Sequence, residues 1–126
     1  MLKGGGSNGK SVFVKILSAL FGGQTDDGRG YVSYAEPSKF GKDFRLMPFR
    51  TSWLNISTDT ENDIKGGEGI FKKIVAGEML EDSYKHKDPF AFQTRTKLIA
   101  CRNYFPKVND TSTGFMRRWI IEHFRK

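Results

Sequence analysis

The chain has 126 residues, 28% of them charged and 37% hydrophobic, with 21 Lys and Arg against 14 Asp and Glu and a formal net charge of +7. That length fills one core and not two, so residues 1–126 are expected to be one domain, and the basic balance favours a polyanionic partner. No long apolar run occurs, which argues against a secretory signal or a membrane partner, and the lone Cys101 cannot close an internal disulfide, which points to the cytoplasm, that of a host cell if the protein is viral.

In chain order, Met1-Leu2-Lys3 leads into Gly4-Gly5-Gly6-Ser7-Asn8-Gly9-Lys10-Ser11, a complete G-x-x-x-x-G-K-S pattern. Glycines let a backbone wrap its N–H groups around a phosphate, a lysine at this place reaches the β- and γ-phosphates, and the following hydroxyl can hold Mg²⁺. ATP with Mg²⁺ is therefore the expected ligand, held by Gly4, Gly6, Asn8, Gly9, Lys10 and Ser11, with Lys10 expected to be solvent-exposed before a phosphate arrives. Such a loop normally follows a buried strand. Three residues are too few for a central strand, so the N-terminal strand is expected to be missing and the domain partial.

Val12, Phe13, Ile16, Leu17 and Leu20 recur at helical spacing and predict a helix from about Lys10 to Phe21, stopped by Gly22 and Gly23 and followed by a loop to Gly30. Trp53 to Ser57 reads as a strand. Ile70, Phe71, Ile74 and Val75 mark a helix over Gly67 to Ala76, ended by Gly77. Segments 78–84 and 90–94 flank Lys85-His86-Lys87-Asp88-Pro89, the expected tip of a β-hairpin. Lys97 to Cys101 is a third strand, with Cys101 in the core, and Trp119 to Ile121 a fourth. Strands alternating with helices behind a phosphate loop predict an α/β fold: a P-loop NTPase core, its mainly parallel sheet flanked by helices, with the hairpin inserted.

Four segments in this order, Asn8-Gly9-Lys10-Ser11, Leu54 to Glu61, Phe90 to Asn103 and Gly114-Phe115-Met116-Arg117-Arg118-Trp119, resemble the helicase domain of superfamily 3, and more narrowly the C-terminal part of phage and plasmid primase-helicases. The resemblance spans nearly the whole chain. It implies a replicative DNA helicase that hydrolyses ATP at the subunit interfaces of a homo-hexameric ring around single-stranded or forked DNA, with an attached primase domain as a further expectation.

The resemblance also implies roles. Asp59, after an apolar strand, would hold Mg²⁺ together with Ser11, and Glu61 would act on the attacking water; the alternative is a merely polar strand exit. The family often carries two adjacent acids here, and Thr58 fills one of those places, so the identity of the base stays open. Asn103 matches the polar sensor that senses the γ-phosphate, or is a turn residue before Pro106. Arg117 and Arg118 match the arginines that reach a neighbour's site, or form a surface pair, and spacing does not choose between them. Lys85, His86 and Lys87 would project into the ring's channel and grip DNA phosphates, or are a solvated turn. His86, His123 and Cys101 have no zinc spacing. Two other classes fit the loop: a small-molecule P-loop kinase, for which no arginine-rich lid is found, and a non-catalytic DNA-binding or assembly remnant.

Overall fold

The computed structural model describes residues 1–23, 30–42, 46–58 and 64–125. Its regular elements are β1 (Leu2–Lys3), α1 (Lys10–Leu20), β2 (Val32–Ser33), β3 (Leu54–Thr58), α2 (Glu68–Ala76), β4 (Met79–Asp82), β5 (Phe90–Gln93), β6 (Lys97–Arg102), α3 (Thr113–Met116) and β7 (Glu122–His123). Two short 3-10 turns, Pro37–Lys39 and Met47–Arg50, each carry a proline in their first positions, where its missing N–H is not needed.

Five strands form one sheet in the order β2-β3-β6-β1-β7, and every pairing in it is parallel. Parallel strands need crossovers, and helices on both faces supply the cover such sheets require. Side-chain alternation along β3 assigns the faces. Leu54 and Ile56 join Leu2, Val14, Val32 and Cys101 in one core cluster, under α1. On the other face Leu98 packs against a second, mostly aromatic cluster that includes Phe40, Phe49, Phe71, Ile74, Leu80, Phe92 and Phe115. Cys101 is buried in the core as expected.

Buried polar side chains pin the β2 edge. Asn55 is 1% exposed, accepts from Ser33 Oγ and from the amide of Ala35, both at 2.8 Å, and donates to the carbonyl of Ala35 at 2.9 Å. Ser52 Oγ meets Thr96 Oγ1 at 3.1 Å, and Thr94 Oγ1 donates to the carbonyl of Phe49 at 2.9 Å. These hydroxyls satisfy one another where no water reaches, and they fasten the hairpin's exit to the sheet.

Two sequence expectations are corrected. The first strand is present: Leu2 and Lys3 lie between β6 and β7. Two residues suffice because both sides are bonded: Gly4 N donates to Arg102 O at 3.3 Å on the β6 side, and Glu122 N donates to Met1 O at 2.9 Å and Phe124 N to Lys3 O at 2.8 Å on the β7 side. The last strand is Glu122–His123 and not Trp119 to Ile121; Trp119 instead stacks on Phe71, ring centroids 4.8 Å apart. The expected first helix is present as α1, which buries Val14 and turns Val12, Ile16 and Leu20 outward, at 61%, 55% and 74% exposure. Ser11, Lys15 and Ser18 share one side of that helix, yet most of the apolar side opposite them is left uncovered in the isolated chain. The expected loop to Gly30 falls largely on residues 24–29, outside the described ones.

Candidate functional site

The glycine loop occupies residues 4–9, at the carboxyl end of β1. There the connections diverge. β1 is followed by a crossover to β2 at the far edge, whereas β6 is followed by β7 on the opposite side of β1. In open parallel sheets the crevice at such a switch point is where ligands bind. Gly9 is the N-cap of α1 at φ 85, a left-handed conformation that lets the loop turn straight into the helix. No side chain caps this end and no acid sits in the first turn. The first amides of α1 and its positive dipole end therefore remain available to an anion.

Two side chains shape the loop. Lys10 is 6% exposed, not solvent-exposed as the sequence suggested. Its ammonium folds back and donates to the carbonyl of Gly4, to the carbonyl of Gly5 at 3.4 Å and to Asn8 Oδ1 at 3.1 Å. Two backbone carbonyls and an amide oxygen give the ammonium three acceptors, a resting place for a cation with no anion beside it. Asn8 Nδ2 donates to the carbonyl of Phe124 at 2.7 Å, tying the loop to the chain just after β7. Gly4 packs so closely against Asn8 Nδ2 and Phe124 O that a Cβ would overlap both. Ser11, in the first turn of α1, is exposed.

The neighbouring strand ends complete the edge. Gly4 N donates to the carbonyl of Arg102 at 3.3 Å, so Asn103, exposed just past β6, stands one residue beyond the carbonyl that holds the start of the loop. β3 ends at Thr58, paired with Cys101. Asp59 and Glu61 lie outside the described residues.

Arg117 and Arg118 are not brought to this loop. Arg118 Nη1 donates to the carbonyl of Gly114 in the preceding helix, and Arg117 is exposed. The segment leading to them is held by α2. Glu68 accepts from the amides of Asn109 and Gly66, both at 2.8 Å, and Lys72 pairs with Asp110 at 2.8 Å. Burial pushes the Glu68 carboxyl up, but its bonds from the Asn109 and Gly66 amides outweigh this and hold it below its ordinary value. Lys72 and the hydroxyl and amide of Ser112 hold Asp110 well below the usual carboxylate range.

The hairpin pairs Met79 with Gln93 and Asp82 with Phe90, and Lys85, His86 and Lys87 at its tip are all exposed. His86 has φ 63, and Lys87 N closes the turn onto Tyr84 O at 3.0 Å. Beside the tip is a group that motif reading passed over. Tyr84 stacks on Phe90, centroids 5.6 Å apart, and Phe90 leans on Phe92 at 6.0 Å. The Arg50 guanidinium lies 5.5 Å from the Phe90 centroid and the Lys87 ammonium 5.6 Å from that of Tyr84. Aromatics bracketing Lys-His-Lys were the available signal. The contribution of Arg50 was not legible, because it comes from a distant turn.

The fold and edge together define a parallel α/β protein with a glycine loop at its switch point. A family model described as a family of unknown function (DUF5906) matches residues 2–118, and the chain belongs to that family. No curated protein matches it.

Proposed function

We infer that the protein is the ATP-hydrolysing core of a DNA helicase or translocase of phage or plasmid replication, a P-loop NTPase acting as a homo-hexameric ring. The observation that carries this reading is the Gly4–Ser11 segment, running from the inner strand β1 into the uncapped start of α1 at the sheet's switch point. The open amides, the absence of an acid in the first turn and the cation folded over the loop fit a polyphosphate. When bound, ATP with Mg²⁺ supplies a phosphoanhydride whose γ-phosphoryl group passes to water.

In this reading Lys10 exchanges its bonds to the Gly4 and Gly5 carbonyls for the β- and γ-phosphates. Ser11 and Asp59 would hold Mg²⁺, Glu61 would take a proton from the attacking water, and Asn103 would orient that water or the γ-phosphate. Arg117 or Arg118 acts on a neighbouring copy's site, which agrees with their lying away from the loop of their own chain. The uncovered Val12, Ile16 and Leu20 on α1 also suit an assembled protein better than an isolated one.

In this reading β6 is the mechanical route that couples the site to DNA. One end of this strand leaves the hairpin through Thr96, and the other offers the Arg102 carbonyl to Gly4. Six residues of strand span roughly 20 Å. A rigid strand of that length joins the base of the hairpin, whose tip bears Lys85, His86 and Lys87, to the edge where hydrolysis would occur.

ATPase activity of the full-length protein, measured with and without single-stranded DNA and over a range of protein concentrations, tests this. Activity is expected to rise with both and to fall to background in Lys10→Ala. A small-molecule kinase would respond instead to an acceptor, and a binding remnant to neither addition. Undiminished turnover by Lys10→Ala would refute the assignment of the loop.

A further inference from the structure

Tyr84, Phe90 and Phe92 form an aromatic ladder that climbs from the core to the surface. Phe92 is 9% exposed and belongs to the aromatic core, Phe90 packs partly buried against that core, and Tyr84 at the outer end is 46% exposed. Buried aromatics usually need no such outward extension, because a large ring left in water forfeits the burial that stabilises the others. Tyr84 is also fixed. Phe90 supports its ring, and Arg50 Nη1 approaches its hydroxyl at 3.4 Å. Arg50 and Lys87 stand at this ring, Lys85 follows Tyr84 in the chain, and Asp82 and Asp88 are the acids flanking the turn. Cations gathered at one exposed turn repel one another, and a polyanion relieves that repulsion.

A ring face in a cationic field matches two parts of one ligand at once. A nucleic-acid strand with unpaired bases presents flat π-surfaces at the spacing of its phosphates, and proteins that hold such strands pair aromatic side chains with a basic track. Duplex DNA keeps its bases stacked inside and offers phosphates only. We propose that Tyr84, supported by Phe90 and Arg50, is a stacking platform for a base of single-stranded nucleic acid, while Lys85 and Lys87 take the flanking phosphates. Lys87 rests over the Tyr84 ring and moves to a phosphate as the base takes its place. The proposal rests on the reading of the hairpin as a nucleic-acid contact, and it is independent of ATP hydrolysis.

The test is equilibrium binding of the full-length protein, without nucleotide, to a labelled oligothymidylate and to an abasic deoxyribose-phosphate oligomer of equal length. The natural protein is expected to bind the oligothymidylate roughly tenfold more tightly than the abasic strand. Tyr84→Leu, which keeps apolar packing on Phe90, should bring oligothymidylate affinity down to the abasic level and leave abasic binding unchanged, and Tyr84→Trp should restore the preference. Lys85→Ala/Lys87→Ala should weaken both oligomers alike and flatten the salt dependence. Equal binding of the two oligomers by the natural protein would overturn the platform while leaving the phosphate contact standing. Loss of both oligomers in Tyr84→Leu would show a structural role only, and would overturn it too. Failure of the natural protein to bind either oligomer would refute the hairpin's nucleic-acid reading, and the platform with it.

Discussion

Asn8 illustrates how much a single side chain arranges at the loop. Its amide nitrogen holds the Phe124 carbonyl while its oxygen takes one bond from the Lys10 ammonium, so one residue fixes both the loop's distance from the terminal strand and the rest position of the cation. Asn8→Ala is expected to cost about 1 kcal/mol of stability, since the Phe124 carbonyl loses its side-chain donor. Gly4→Ala should cost more, about 1–3 kcal/mol, because its Cβ meets the backbone carbonyl of Phe124, which cannot rotate away. Denaturant midpoints of the two variants, alongside nucleotide affinity, check both the order and the magnitude. The motif alone identified Gly4, Asn8 and Lys10 as loop residues. Their partner Phe124 was invisible, because nothing local in a sequence announces a contact with the far end of the chain.

At the scale of elements, α2 acts as a clamp on the segment that carries the arginine pair. Glu68 at its first turn takes two backbone amides and Lys72, one turn on, takes Asp110, so residues 109–112 are fixed before α3 begins. Ser112 then caps α3 by accepting from Phe115 N at 3.3 Å. Glu68 and Asp110 both have folded values below their ordinary 4.5 and 3.8, which sets the sign of a pH effect. Carboxyls of this kind contribute stability above the unfolded value and lose it as pH falls through the folded one. The gap in Tm between the natural protein and Glu68→Gln should therefore be widest near neutrality, reflecting about 1–3 kcal/mol for bonds to a charged acceptor, and should narrow below pH 4.5. Equal gaps at pH 7 and in acid would show that the charge is not what matters. The helix itself was legible from Ile70, Phe71, Ile74 and Val75, and the hairpin from its charged, proline-bearing tip. β2, α3 and β7 were not, because elements of two to four residues carry no period and exist only through their neighbours.

For the whole molecule, the separation of Arg117 and Arg118 from the loop of their own chain turns into a question about assembly. If an arginine completes the neighbour's site, a full-length protein lacking it still binds ATP but hydrolyses little, and mixing it with Lys10→Ala protein should recover a measurable fraction of activity where an intact loop meets an intact arginine. No recovery in assemblies shown to exchange subunits would assign the arginines a role within their own chain. The parallel α/β class followed from helices alternating with strands behind a glycine loop; the strand order did not, since order is set by long-range pairing. That pairing has a consequence for how the protein comes into being. β1, the first strand in the chain, finds its partners only in β6 and β7, the last two. During synthesis β1 stays unpaired until β6 and β7 have been made, and such distant parallel contacts are slow to form. The glycine loop is thus held by stretches far along the chain, through the carbonyls of Arg102 and Phe124, and its shape depends on those distant strands having docked.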